Sequence, residues 1–270
     1  MIDGRRPFAA ALLALGLLAT GCAAALREPR PIVELAGGAP AVDRAEAAQL
    51  LSQAEALFAE RDVEKAGTAA RLYLRAATAD DAPIEALLGA VRADVWLTDH
   101  ESDPGARARA AAAAVEAAQW CARKAPADAV CDYWLGAALG VQARERPATG
   151  LSALPEIERA FQSALRTNPE VDESGPDRAL ALLYLRAPGW PAGPGNPEVG
   201  LEHARAAVTR RPGHPPNQLA LAEALRDTGD AQGSRDAYGR ALSLAREMAE
   251  RGDRDAPEWV AEAERGTRDR

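Results

Sequence analysis

Three prolines spaced by 43 residues, Pro126, Pro169 and Pro212, constrain this chain more than any other feature. Each lies five residues after a small residue, Cys121, Ala164 or Ala207, near the expected end of a helix. A chain that repeats itself at such a period builds its core by stacking similar units. Composition says what those units are made of. Alanine supplies roughly a quarter of the chain, far above ordinary usage, and it is the best helix former. Aromatic residues make up only 4%, and the β-branched and aromatic types that build strands are scarce. An all-α protein of thin, closely packed helices follows. A net charge of −8 argues against nucleic acid as a partner, which requires clustered Lys and Arg.

After Pro212 the period shortens. Ala207 and Ala241 are 34 residues apart, and between them lie Leu221-Ala222, Leu225, the turn Gly229-Asp230 and Tyr238. An apolar–small pair on one helix, a glycine turn, then an aromatic and a small residue on the next is the tetratricopeptide pattern. Leu135-Gly136 with Leu139 repeats its first half; Ala69, Tyr73, Ala76 and Phe161, Ala164 repeat its second. Periods of 40–47 also suit HEAT or armadillo repeats, but the 34-residue unit and its turn favour the tetratricopeptide reading. The expected architecture is a helix-hairpin solenoid of about five irregular repeats over 43–251. The hairpins are 43–80, 81–126, 127–169, 173–212 and 214–251. A capping helix at Trp259, Val260 and Ala263 and a tail occupy 252–270. The extra residues of the longer repeats are expected in loops at 98–105, 145–152 and 188–197.

The chain opens with Arg5 and Arg6, an apolar run from Phe8 to Ala19, and Leu18-Ala19-Thr20-Gly21-Cys22. About a dozen apolar residues suit a signal peptide and are too few for a permanent span. The ending resembles a bacterial lipobox. That reading makes 1–21 a lipoprotein signal peptide, Cys22 the acylated residue, and 22–42 a flexible tether rich in Pro and Gly. Ala23 in place of an Asp directs such a protein to the periplasmic face of the outer membrane.

Several stretches resemble the tetratricopeptide T component associated with TRAP transporters, itself a lipoprotein. They are Cys131-Asp132-Tyr133-Trp134-Leu135-Gly136, the turn Ala187-Pro188-Gly189-Trp190-Pro191 with Gly195-Asn196-Pro197, and Pro216 to Leu225. The resemblance implies a non-enzymatic periplasmic scaffold that self-associates, as a trimer, and engages a solute-binding protein. It also implies a passage or cleft for a hydrophobic or carboxylate ligand. An assembly or piloting lipoprotein for a secretin or another envelope complex would use the same repeat surface.

Chemistry-bearing residues are sparse, and no metal site or cofactor motif emerges. Cys121 and Cys131 flank Pro126 on adjacent helices; they are either disulfide partners in an oxidising compartment or two small core residues. Glu173-Ser174-Gly175 matches the catalytic tripeptide of lytic transglycosylases, where a carboxylic acid in an apolar cleft protonates a glycosidic oxygen. The downstream element of those enzymes is absent, and a loop between helices accounts for the tripeptide. His100, His203 and His214 have no ligand-spaced partner. Trp134 and Trp190 are either core and loop anchors or, with Tyr184, contacts for a ligand or partner. Pro188, Pro191, Pro194 and Pro197 make the Trp190 loop stiff.

Overall fold

The structure is a computed structural model that describes residues 28–268. The leader and the proposed acylation at Cys22 lie outside the described residues. Among those described, the chain forms a short helix α1 (Ile32–Leu35) and five helix pairs. The pairs are α2 (Arg44–Phe58) with α3 (Val63–Ala76), α4 (Ile84–His100) with α5 (Pro104–Lys124), and α6 (Ala129–Glu145) with α7 (Pro147–Thr167). Then follow α8 (Val171–Arg186) with α9 (Pro197–Arg210), and α10 (Pro215–Asp227) with α11 (Ala231–Glu250). A final helix α12 (Ala256–Arg268) covers α11. No strand occurs among the described residues, only an isolated bridge between Gly189 and Gly195. The result is an all-α helix-hairpin solenoid.

Local chemistry starts most of these helices. Asp43, Asp62, Asp103, Asp128, Asn196 and Asp230 each accept a hydrogen bond from a first-turn amide, satisfying donors that have no intrahelical partner. Pro104, Pro147, Pro197 and Pro215 open helices where a missing N–H costs nothing. The 43-residue spacing also has a structural meaning. In α5, α7 and α9 the amide that closes the helix returns to the carbonyl of Cys121, Ala164 and Ala207 respectively. All three side chains are buried.

Packing follows a simple rule of aromatic knobs set into glycine holes. A Cβ at Gly89 would lie 2.3 Å from the Tyr73 ring, at Gly136 2.6 Å from Phe161, and at Gly266 2.3 Å from Tyr238. The rings belong to second helices of hairpins, and each fills a hole on a neighbouring first helix or on the cap. Buried alanines complete the contact and let the helices approach closely. Cys121 and Cys131, both buried, are joined by a disulfide across the turn between α5 and α6, with Cα atoms 5.4 Å apart.

Two expectations need correction. The extra residues of the long repeats do not form loops at 98–105 and 145–152. Helices α4 and α6 run on to His100 and Glu145 and have 17 residues each; α5 and α7 have 21. Thr98 is helical and buried, and its hydroxyl donates to the Asp94 carbonyl, which satisfies the polar side chain within the helix. Only the third expected loop exists, between α8 and α9. The second correction concerns the tether. From Glu28 to Val42 the chain is docked against α5 and α3. Arg30 pairs with Glu116 at 3.0 Å, and Trp120 Nε1 donates to the Arg30 carbonyl at 2.7 Å. Ile32 packs against buried residues, and the Val42 amide donates to Thr78. Enough polar and apolar partners meet here to offset the entropy of ordering a segment rich in Pro and Gly.

Candidate functional site

An open apolar cleft of 490 Å³ lies between the third and fourth hairpins. Val141 on α6, Leu151, Leu154 and Phe161 on α7, and Leu182 and Leu183 on α8 line it. Arg144 and Arg186 stand among its walls, but Arg144 pairs with Asp99 and Arg186 pairs with Glu223. With its cations so engaged, the cleft is suited to an apolar occupant. Leu151 is 55% exposed.

The loop from Ala187 to Asn196 lies beside this cleft, with Pro188 in its lining. The loop folds back on itself. Gly195 N donates to Pro188 O at 2.9 Å, Ala192 N to Gly189 O at 3.0 Å, and Asn196 N to Tyr184 O at 2.8 Å. The chain passes so close to itself that a Cβ at Gly195 would lie 2.1 Å from the Ala187 carbonyl. The Trp190–Pro191 peptide is cis. On this closed loop the Trp190 side chain is 90% exposed. A tryptophan on the surface, on a loop that adjoins an open apolar cleft, is an unusual cost in water.

A tightly bonded turn opens α8, the helix that carries Leu182 and Leu183 of the cleft. Asp172, Glu173 and Ser174 have φ of 50°, 54° and 67°, three left-handed residues in succession where glycine would be expected. Arg178 holds them: it donates to the Asp172 carbonyl at 3.1 Å, pairs with the Asp172 carboxylate, and donates to Asn217 Oδ1 at 2.9 Å. Tyr133 OH donates to Asp172 Oδ2 at 2.7 Å, and Asn217 Nδ2 to the Glu173 carbonyl at 2.9 Å. A Cβ at Gly175 would lie 2.6 Å from the Tyr133 ring. Nearby, burial and the charge of Arg178 hold the His214 imidazole down at about 4, neutral at ordinary pH.

The residues singled out from the sequence do not converge. Trp190 is on the surface. Tyr184 is buried, its hydroxyl donating to Glu158 at 2.6 Å and its ring stacked with His203. Trp134 is half-buried on α6 beneath Arg92, whose guanidinium lies 5.4 Å from the ring, and its Nε1 is buried without an acceptor. Neither Trp134 nor Tyr184 lines the cleft. Glu173 is 58% exposed and faces Arg211 at 3.4 Å. An exposed carboxylate facing an arginine is not the carboxyl in an apolar cleft that protonates a glycosidic oxygen. His203 pairs with buried Asp177 at 2.8 Å, and His100 pairs with Glu258; no cluster suited to a metal occurs among the described residues. Sequence reasoning missed Leu151, Leu154, Leu182 and Leu183. Their signal was a surplus of leucines beyond what one buried face of each helix uses.

No family model matches the chain, and no curated protein is significantly similar to it. Among solved structures it is similar to TTC0263, a thermophilic TPR protein of Thermus thermophilus, at 20% identity and a TM-score of 0.59. The match covers 80% of this chain and 98% of that one. The fold is tetratricopeptide-like. A likeness of backbone carries the fold alone, and what the chain binds depends on the surface described above.

Proposed function

We propose that the protein is a non-enzymatic scaffold, held by lipid at Cys22 on the periplasmic face of the outer membrane, that docks a protein through the Trp190 loop and the adjoining cleft. The observation that carries this reading is Trp190, 90% exposed on a loop closed by its own hydrogen bonds. A rigid, exposed aromatic beside an apolar cleft is what a binding hot spot requires, because little entropy remains to be lost on contact. The sequence resemblance to the T component of TRAP transporters makes a periplasmic solute-binding protein the favoured partner.

A photo-crosslinking amino acid at position 190, activated in intact envelopes, tests the partner. Crosslinks to a solute-binding protein are expected. Crosslinks to a secretin or pilus component would transfer the role to envelope assembly, and crosslinks only to a second copy would make the surface a self-association site. With the partner in hand, Trp190→Ala should weaken binding by about 2 kcal/mol or more, roughly thirtyfold. Its melting temperature should stay unchanged, since no core contact is lost. Unaltered affinity would reduce the loop to a connector.

A further inference from the structure

We propose that the docked N-terminal strap orients the molecule on its membrane, turning the C-terminal ends of α3 and α5 toward the bilayer and presenting the Trp190 edge away from it. The proposal rests on the reading of Cys22 as the acylated residue. Five residues lie between Cys22 and Glu28, and the six residue-to-residue steps span about 22 Å at most. The lipid therefore cannot be far from the point where Glu28 meets the body.

That point is well defined. Glu28 pairs with Arg123 at 3.0 Å, and Arg30 is fixed to Glu116 through its amide and guanidinium. The Trp120 indole donates to the Arg30 carbonyl, and the Arg123 guanidinium lies 5.4 Å from the Trp120 ring. Further along, Ile32 packs against the buried cluster around Val42 and Ala76, and Arg75 donates to Ala39 O at 3.1 Å. The strap thus crosses α5 and α3 and is held at each end. Arg123 is one residue from the end of α5.

The cleft lies at the opposite edge. Leu151 is four residues past the start of α7, which runs parallel to α5 in the stack and has the same 21 residues. Helices of that length span about 30 Å. A fixed strap at one end therefore places the cleft and the Trp190 loop on the side that faces the aqueous compartment, where a soluble partner would meet them.

The test uses the acylated chain, purified from membranes and reconstituted in phosphatidylethanolamine–phosphatidylglycerol vesicles. A fluorophore is placed on a cysteine introduced at Asp80 or at Ala192, and lipids with spin-labelled headgroups serve as quenchers. Quenching at position 80 should exceed that at 192 severalfold. Releasing the strap with Arg30→Ala and Trp120→Ala, in a variant whose circular dichroism confirms the fold, should remove the difference. Equal quenching in the parent, stronger quenching at 192, or a difference that survives release of the strap would each overturn the proposal. The mass of the purified chain reports acylation separately: an unmodified Cys22 would remove the anchor itself, and with it this orientation.

Discussion

Asp94 makes the stability of the fold depend on pH. Its side chain is buried within the solenoid and Oδ2 meets no donor. Burial pushes the carboxyl up to about 8, against about 3.9 in an unfolded chain. Between those values the folded protein holds a proton that the unfolded chain has released, so stability falls as pH rises from about 4 to about 8. Asp94→Asn removes the titration while keeping the shape. Urea denaturation at a series of pH values should show a flatter profile, and a gain of about 2–4 kcal/mol near pH 8. A variant whose slope matches the parent would show that the carboxyl is hydrated after all.

Among the elements, the left-handed turn at the start of α8 stores conformational cost that the Arg178 cluster compensates. A non-glycine residue in this region costs about 1–2 kcal/mol. Glu173 is the one to relax, since its exposed pairing with Arg211 adds little. Glu173→Gly should therefore stabilise the protein by about 1 kcal/mol. Arg178→Ala should do the reverse, costing about 3 kcal/mol or more, because it leaves Asp172, Tyr133 and Asn217 without their common donor. Calorimetry of both variants checks the pair; destabilisation by Glu173→Gly would mean that the turn is held by something other than this network. The disulfide belongs to the same scale. It closes a loop of sequence separation 10 between α5 and α6, a constraint worth about 2–3 kcal/mol through the unfolded chain. Cys121→Ser with Cys131→Ser should lower stability by that amount, and a reducing agent should do the same to the parent.

At the scale of the whole molecule, the first two hairpins grip the C-terminal cap and the turn before it. Arg61 donates to both carboxylate oxygens of Asp255, at 2.7 and 3.1 Å, across 194 residues of sequence, and His100 pairs with Glu258. The Arg61 guanidinium also lies 4.2 Å from the Phe58 ring. Phe58, Arg61 and Asp255 border a cleft of 650 Å³ whose walls include Tyr73, Leu88 and Arg92. A solenoid whose units touch only their neighbours has no reason to be closed in this way, so the clasp limits how far the superhelix can open. Arg61→Glu should cost only about 1 kcal/mol, since the pair is partly exposed. Its effect on shape should be larger: small-angle scattering should give a greater radius of gyration, and amide exchange should quicken between α11 and α12. Adding Asp255→Arg should restore both. An unchanged profile in the single variant would show that the ends are held by packing alone.

Hairpin number, helix starts and the repeat register were legible in the sequence because they rest on short-range chemistry. Asp103 beside Pro104 caps and opens a helix wherever it occurs, and the 43-residue spacing places Cys121, Ala164 and Ala207 at equivalent buried positions. Helix length was less legible, because Thr98 and His100 are polar enough for a loop yet are held by backbone carbonyls one turn earlier. The candidate site was legible only in part. Four prolines marked the Trp190 loop as stiff, but an exposed tryptophan and a buried one have the same sequence. The cleft depends on how the third and fourth hairpins meet, and there Arg178 joins Asp172, Tyr133 and Asn217 from three helices. The docked strap and the clasp join residues about 90 and 190 positions apart. Periodicity determines which residues face inward on each helix, whereas these features depend on where the stacked helices bring distant side chains together, and that is decided only by the superhelix as a whole.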